Sequence, residues 1–167
     1  MSRTPTNRAF VALGSNLNAP ASQVKRAFQA IGNLPETRLI KQSSLYQSAP
    51  VGYANQPDFI NAVAEISTQL PPDDLLDALL NIEHAAGRER PFANAPRVLD
   101  CDLLLYGDLV THTEKLTLPH PRMHERGFVL LPLAEIAPDL VIPNHGSVVK
   151  LALAHQNQST KKLNEHI

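Results

Sequence analysis

Strand-like alternation and helix-like spacing divide the chain into a regular succession of elements. Residues 9–13 read as a strand that leaves its sheet at Gly14-Ser15-Asn16, residue types suited to a sharp exit. Residues 20–31 read as a helix: Val24, Ala27, Phe28 and Ile31 recur at helical spacing, and Gly32 supplies the stop. Strands are expected over residues 38–47 and 59–68. The connection between them carries Ser48-Ala49-Pro50-Val51-Gly52 and Asn55-Gln56-Pro57-Asp58. It is long for a hairpin and rich in turn formers, which suits a functional loop.

The second helix is the clearest element. Pro71 and Pro72 open it, Asp73 and Asp74 complement the positive end of its dipole, and Gly87 closes it. Leu75, Leu76, Leu79, Ile82 and Ala86 form the expected buried stripe. Residues 88–96 read as a mobile segment leading into a strand over 98–106. A short strand near Leu116 and a helix over 128–136 follow, and the tail over 155–167 reads as a frayed helix or disorder. Strand, helix, two strands, helix, strand is the order of a ferredoxin-like split βαβ core. The expected class is therefore α+β, with a mainly antiparallel sheet and helices on its faces in three α/β/α layers.

Composition narrows the function classes. At 167 residues the chain is expected to be one domain over 1–167, able to bury a core without staples. A net charge of −1 gives no global field for nucleic acid or anionic lipid, so basic groups must act locally. The single cysteine, Cys101, rules out an internal disulfide. Residues 1–8 are polar, and the most apolar later stretch, 128–134, is too short to span a bilayer and holds Pro132. A cytoplasmic protein without a membrane partner is the expectation.

Candidate chemistry begins at Asp100 and Asp102. Two apart in a strand, both carboxylates project from one face, while Leu99, Cys101 and Leu103 face a core. Carboxylates this close repel unless a cation neutralises them or one is protonated, and hard oxygen donors suit Mg²⁺. Alone, an Asp-x-Asp is more often a solvated strand end. Arg88, Arg90 and Arg97 before the pair, and His120, Arg122, His124 and Arg126 after it, turn the reading towards a polyphosphate site. Of these, Arg122 and His124 look like solvated bystanders. Glu83 lies on the Leu76–Leu80 side of the second helix, where it either reaches a loop arginine or faces a ligand. Asn61 suits the edge of a heterocycle, although a structural asparagine bonded to backbone is commoner. His120 and His124 do not make a zinc pair: prolines flank the first, and no second cysteine exists. No Walker loop or dinucleotide fingerprint occurs.

Taken in order, these segments resemble the 6-hydroxymethyl-7,8-dihydropterin pyrophosphokinase family along nearly the whole chain. The resemblance is carried by Phe10-Val11-Ala12-Leu13-Gly14-Ser15-Asn16-Leu17, Ser43-Ser44-Leu45-Tyr46, Ser48-Ala49-Pro50-Val51-Gly52 and Gln56-Pro57-Asp58-Phe59-Ile60-Asn61. Ile82-Glu83, Gly87-Arg88, Leu118-Pro119-His120-Pro121 and Arg126-Gly127-Phe128 extend it. Its most specific part is Pro96-Arg97-Val98-Leu99-Asp100-Cys101-Asp102-Leu103-Leu104.

The resemblance implies transfer of pyrophosphate from the co-substrate ATP to the pterin hydroxymethyl group, with two Mg²⁺ ions held by Asp100 and Asp102. It implies triphosphate contacts from Arg88, Arg97, His120 and Arg126, with Arg90 contributing from a mobile loop. Lys115 and Thr117 fall at nucleotide phosphate or ribose, and Leu76, Glu83 and Leu103 at adenosine. Ser48, Ala49, Val51, Phe59, Asn61 and Phe128 would form the pterin slot. Three positions depart from the pattern: Asn94 stands where many relatives have a lid tryptophan, Ala93 replaces a charged residue, and Cys101 replaces a branched aliphatic. A monomer is expected, with the two small molecules as its partners. The competing readings are another Mg²⁺-dependent phosphohydrolase, a non-catalytic nucleotide-binding module, and an RNA-binding ferredoxin-like module. Low aromatic content (5%) and the net charge argue against the last.

Overall fold

A computed structural model of the chain describes residues 6–50, 55–87, 98–156 and 160–163. The expected order of elements is present: β1 (Asn7–Ser15), α1 (Pro20–Gly32), β2 (Thr37–Gln42), β3 (Tyr46–Ser48), β4 (Phe59–Thr68), α2 (Pro72–Ala85) and β5 (Asp100–Tyr106). After these come β6 (Thr111–His112), β7 (Thr117–Leu118), a 3-10 turn at Met123–Glu125, α3 (Gly127–Ile136), β8 (Val141–Ile142), β9 (Gly146–Ser147), α4 (Val148–Ala154) and β10 (Thr160–Lys162).

The central sheet runs β10-β3-β4-β1-β5, with β2 also paired to β4, and all its pairings are antiparallel. Alternation along β1 and β4 sends side chains to two cores. Ala9, Val11, Leu13, Ala62, Ala64 and Ile66 meet Val24, Ala27, Phe28 and Ile31 of α1 and Leu75 and Leu79 of α2. On the opposite face, Phe10, Val63 and Leu104 meet Val129, Leu130 and Leu133 of α3 and Ala152 of α4. The result is the ferredoxin-like α+β fold in three layers.

Two expectations need correction. The strand expected over 38–47 is two strands, β2 and β3, separated at residues 43–45. There the Ser43 hydroxyl accepts the Val63 amide at 2.9 Å, so a side chain takes over a rung of the backbone ladder. The tail expected to fray instead contributes β10, whose residues pair with β3 as Thr160↔Ser48 and Lys162↔Tyr46. The Leu163 amide then donates to Leu45 O at 2.9 Å.

The helix boundaries follow from local chemistry. Pro72 opens α2 with Asp73 and Asp74 in its first turn. Gly87, at φ +96°, adopts the left-handed conformation just past its end, where a side chain would be strained. The innermost residues of α2 are Leu75, Leu79 and Glu83; Leu76, Ile82 and Ala86 pack beside them, half-buried.

Candidate active site

Strand register alone aligns the candidate groups. Gly14 of β1 pairs with Asn61 of β4 on one side and with Asp100 of β5 on the other, so the three share one row on one face. Ala12 stands likewise between Val63 and Asp102. Adjacent strands lie about 4.8 Å apart, which puts the backbones at Asn61 and Asp100 roughly 10 Å apart. The floor between them is glycine and alanine, the residues that leave most room. A Cβ on Gly14 would come within 3.4 Å of Asn61 Oδ1 and 3.9 Å of the Phe59 ring.

Over this floor opens a cleft of about 420 Å³, a volume suited to a small-molecule ligand. Ser48, Ala49, Phe59, Asn61 and Phe128 line it together with Asp100, Asp102, His120, Arg122 and Arg126. Its apolar half is fixed by hydrogen bonds behind the wall. The buried Asn61 amide donates from Nδ2 to Ser48 Oγ at 2.7 Å, which ties β4 to β3. Buried Asn16, just past β1, donates to Gln56 Oε1 at 2.7 Å and to Pro57 O at 3.0 Å, holding the incoming loop against the strand end. The Arg126 guanidinium sits 5.5 Å from the centre of the Phe128 ring, within cation–π range.

The polar half is built around β5 and the segment after β7. A register shift between Phe10 and Val11 leaves Leu104 as the extra residue of β5, and its carbonyl accepts the His120 amide at 2.9 Å. His120 Nδ1 accepts the Arg122 amide at 3.2 Å, so the ring proton of neutral His120 resides on Nε2. Burial, then the charges of Arg126 and Arg122, push the imidazole from its ordinary 6.5 down to about 4. At neutral pH His120 is therefore an uncharged N–H donor beside two guanidinium groups.

Asp100 and Asp102 are half-buried on the same face of β5 and both line the cleft. Two hard carboxylates opening into a shared cavity fit Mg²⁺, which takes few protein ligands and completes its octahedron with water and phosphate oxygens. Among the described residues no three His, Cys, Asp or Glu side chains gather into a closed cage. Cys101 between them is buried, and burial followed by the charges of Glu83, Asp102 and Asp100 pushes its thiol up, so it stays protonated and unreactive.

Other expected positions lie elsewhere. Leu103 is in the core beneath α1 and α2, Leu76 packs half-buried against that core, and Glu83 is 3% exposed, so none of the three lines the cleft. Lys115 is exposed and pairs with Asp77 at 3.0 Å, while Thr117 is half-buried in β7. Arg88, Arg90, Arg97, Val51, Ala93 and Asn94 lie outside the described residues. Of the two expected bystanders, Arg122 is exposed but lines the cleft, whereas the half-buried His124 does not line it and stacks on His145 with ring centres 3.8 Å apart. Gly14, Ala12 and Asn16 were not singled out as site residues. Small size at the end of a strand that faces an Asp-x-Asp strand is the signal that could have found the first two.

The family model for 7,8-dihydro-6-hydroxymethylpterin-pyrophosphokinase matches residues 10–138. The chain is 47% identical over 156 residues to the 2-amino-4-hydroxy-6-hydroxymethyldihydropteridine pyrophosphokinase of Haemophilus influenzae, covering 93% of this chain and 98% of that one. It is 46% identical to the Pseudomonas aeruginosa protein of the same name, over 93% and 96% of the two chains. Among solved structures it superposes on Plasmodium falciparum HPPK-DHPS with a TM-score of 0.72 at 14% identity, which speaks for the fold. There it spans 96% of its own length and 49% of the longer chain.

Proposed function

The chain belongs to the 7,8-dihydro-6-hydroxymethylpterin-pyrophosphokinase family, and from that premise we propose how its cleft divides the work of the reaction. The activity is transfer of pyrophosphate from ATP to the hydroxymethyl group of 6-hydroxymethyl-7,8-dihydropterin in folate biosynthesis, giving AMP and the pterin diphosphate. The observation that carries the reading is one cleft lined by Asn61, Phe59, Phe128 and Ser48 together with Asp100, Asp102, His120 and Arg126.

The aromatic rings of Phe59 and Phe128 take the faces of the pterin, while Asn61 meets its edge with the amide groups that Ser48 leaves available. Asp100 and Asp102 hold two Mg²⁺ ions; bound there, Mg²⁺ supplies neutralisation of the phosphate charge. His120 donates from Nε2 to a phosphate oxygen, and Arg126 and Arg122 beside it offset the negative charge of the phosphate. Arg88, Arg90 and Arg97 add cations from the segment before β5, with Lys115, Thr117 and Leu76 on the nucleoside side and Ala49 and Val51 beside the pterin. In the chemical step the hydroxymethyl oxygen bonds to the β-phosphorus. The bond from that phosphorus to the bridging oxygen breaks, AMP leaves with the electron pair, and the hydroxyl proton passes to solvent. No side chain needs to act as a strong base, because positioning and charge neutralisation supply most of the rate in such transfers. A cytoplasmic monomer whose partners are these two small molecules completes the proposal.

AMP formation from ATP and Mg²⁺, with and without the pterin, tests it. AMP and pterin diphosphate appearing only with the pterin are the expected outcome; AMP formed regardless would identify a phosphohydrolase, and ATP binding without AMP a sensor. Asp100→Ala should abolish turnover while the thermal midpoint stays near that of the wild type. Turnover at the wild-type rate in that variant would remove the carboxylate pair from the mechanism.

A further inference from the structure

Helical spacing places position 83 on the innermost line of α2, one turn beyond Leu75 and Leu79, where an aliphatic side chain would complete the core. The residue is a glutamate, 3% exposed, and a buried carboxylate costs stability unless its oxygens are well engaged. One engagement is specific: Glu83 Oε2 accepts the backbone amide of Cys101 at 2.7 Å. Cys101 is the residue between Asp100 and Asp102. It belongs to β5, which among the described residues is an edge strand of the sheet and pairs only with β1.

We propose that Glu83 is a positioning residue for the metal-binding carboxylates, holding the Cys101 amide where a neighbouring strand would otherwise have to. This rests on the reading that Asp100 and Asp102 hold Mg²⁺. The directions of both aspartate side chains are set by the backbone on either side of that one amide. Mg²⁺ requires near-octahedral oxygens at about 2.0–2.1 Å, so a small drift at the start of an edge strand is enough to spoil the pair. A charged acceptor makes a shorter, stronger hydrogen bond to an amide than a neutral one, which suits the task of pinning a strand end. The contact also gives a reason for a buried carboxylate that does not line the cleft: it acts through the strand.

The test uses full-length protein with Glu83→Ala, Glu83→Gln and Asp100→Asn variants. Mn²⁺ binding is read by electron paramagnetic resonance with a non-hydrolysable ATP analogue present, and analogue binding is read separately in EDTA. Glu83→Ala should weaken Mn²⁺ about 10- to 100-fold, the usual effect of losing a group that orients a metal ligand, and leave metal-free analogue binding within about twofold. Glu83→Gln keeps a carbonyl acceptor for the amide and should stay within about threefold of wild type for Mn²⁺. Wild-type Mn²⁺ affinity in Glu83→Ala overturns the proposal. So does a loss in Glu83→Gln as large as in Glu83→Ala together with weakened metal-free binding, which would make Glu83 a direct nucleotide contact. If Glu83→Ala does not fold, Glu83→Gln decides alone: Mn²⁺ affinity near wild type supports the proposal, and a tenfold loss overturns it. Asp100→Asn should lose Mn²⁺; its retention would show that the metal assignment itself had failed, separately from the role of Glu83.

Discussion

His120 shows how much one residue's surroundings decide. From sequence it is one of seven histidines and a candidate phosphate contact. In the fold its backbone is fixed by Leu104 O, its Nδ1 is occupied by the Arg122 amide, and its pKa falls to about 4. Because the unfolded chain keeps the ordinary value near 6.5, it takes up a proton before the folded chain does. His120 therefore leaves stability undiminished above pH 7 and lowers it as pH falls from about 6.5 towards 4. Replacing it with asparagine should shrink the drop in thermal midpoint between pH 7 and pH 5 relative to wild type. An equal drop in both proteins would contradict the shift. Of the other residues, alternation alone showed that Asp100 and Asp102 share one face with Cys101 on the other, while their reading as a polyphosphate site needed the surrounding arginines and histidines. Residue type could not distinguish Arg122, which is exposed yet lines the cleft, from any other surface arginine.

At the scale of elements, legibility tracked length. The 14-residue α2 and the 10-residue β4 span several periods, and their positions were clear from spacing. Strands of two or three residues, such as β6, β8 and β10, contain too little pattern to show. The break between β2 and β3 was hidden for a different reason: it depends on contacts from distant parts of the chain. Ser43 binds Val63, and Glu135 of α3 accepts the Ser44 amide at 3.0 Å, the Ser44 hydroxyl at 2.8 Å and the Tyr46 hydroxyl at 2.8 Å. Burial and the neighbouring Glu135 carboxylate push the Tyr46 phenol up, so it stays a donor at any working pH. Glu135 thus secures the strand that carries Ser48. Glu135→Ala should cost about 1 kcal/mol in urea unfolding, through loss of the hydrogen bonds from the part-buried Tyr46 hydroxyl and from Ser44. It should also raise the pterin KM more than the ATP KM. A loss under about 0.5 kcal/mol would mean that water replaces the carboxylate without penalty.

At the scale of the whole molecule, function depends on what the sheet carries on its α3 face. Helices α1 and α2 seal one face with aliphatic side chains, while on the other α3 covers only part, and the uncovered end is the cleft. The fold class and its element order were legible because two long helices and three long strands fixed them. The meeting of a pterin-side wall with a carboxylate pair was legible only through resemblance, since the two lie about 40 residues apart and register joins them. Gly14 is where they meet. Gly14→Val should fill the floor against Asn61 and Phe59 and weaken pterin binding at least about tenfold, with the nucleotide less affected. An unchanged pterin KM would show that the pterin sits elsewhere.

The row Asn61–Gly14–Asp100 has a further consequence. Its spacing is set by backbone hydrogen bonds across three strands, so the sheet acts as a ruler between acceptor and donor seats, with one strand's width as its unit. Side chains around the cleft can drift in evolution and alter how tightly each substrate is held. The gap across which the phosphorus must be passed keeps its length while the ladder stands.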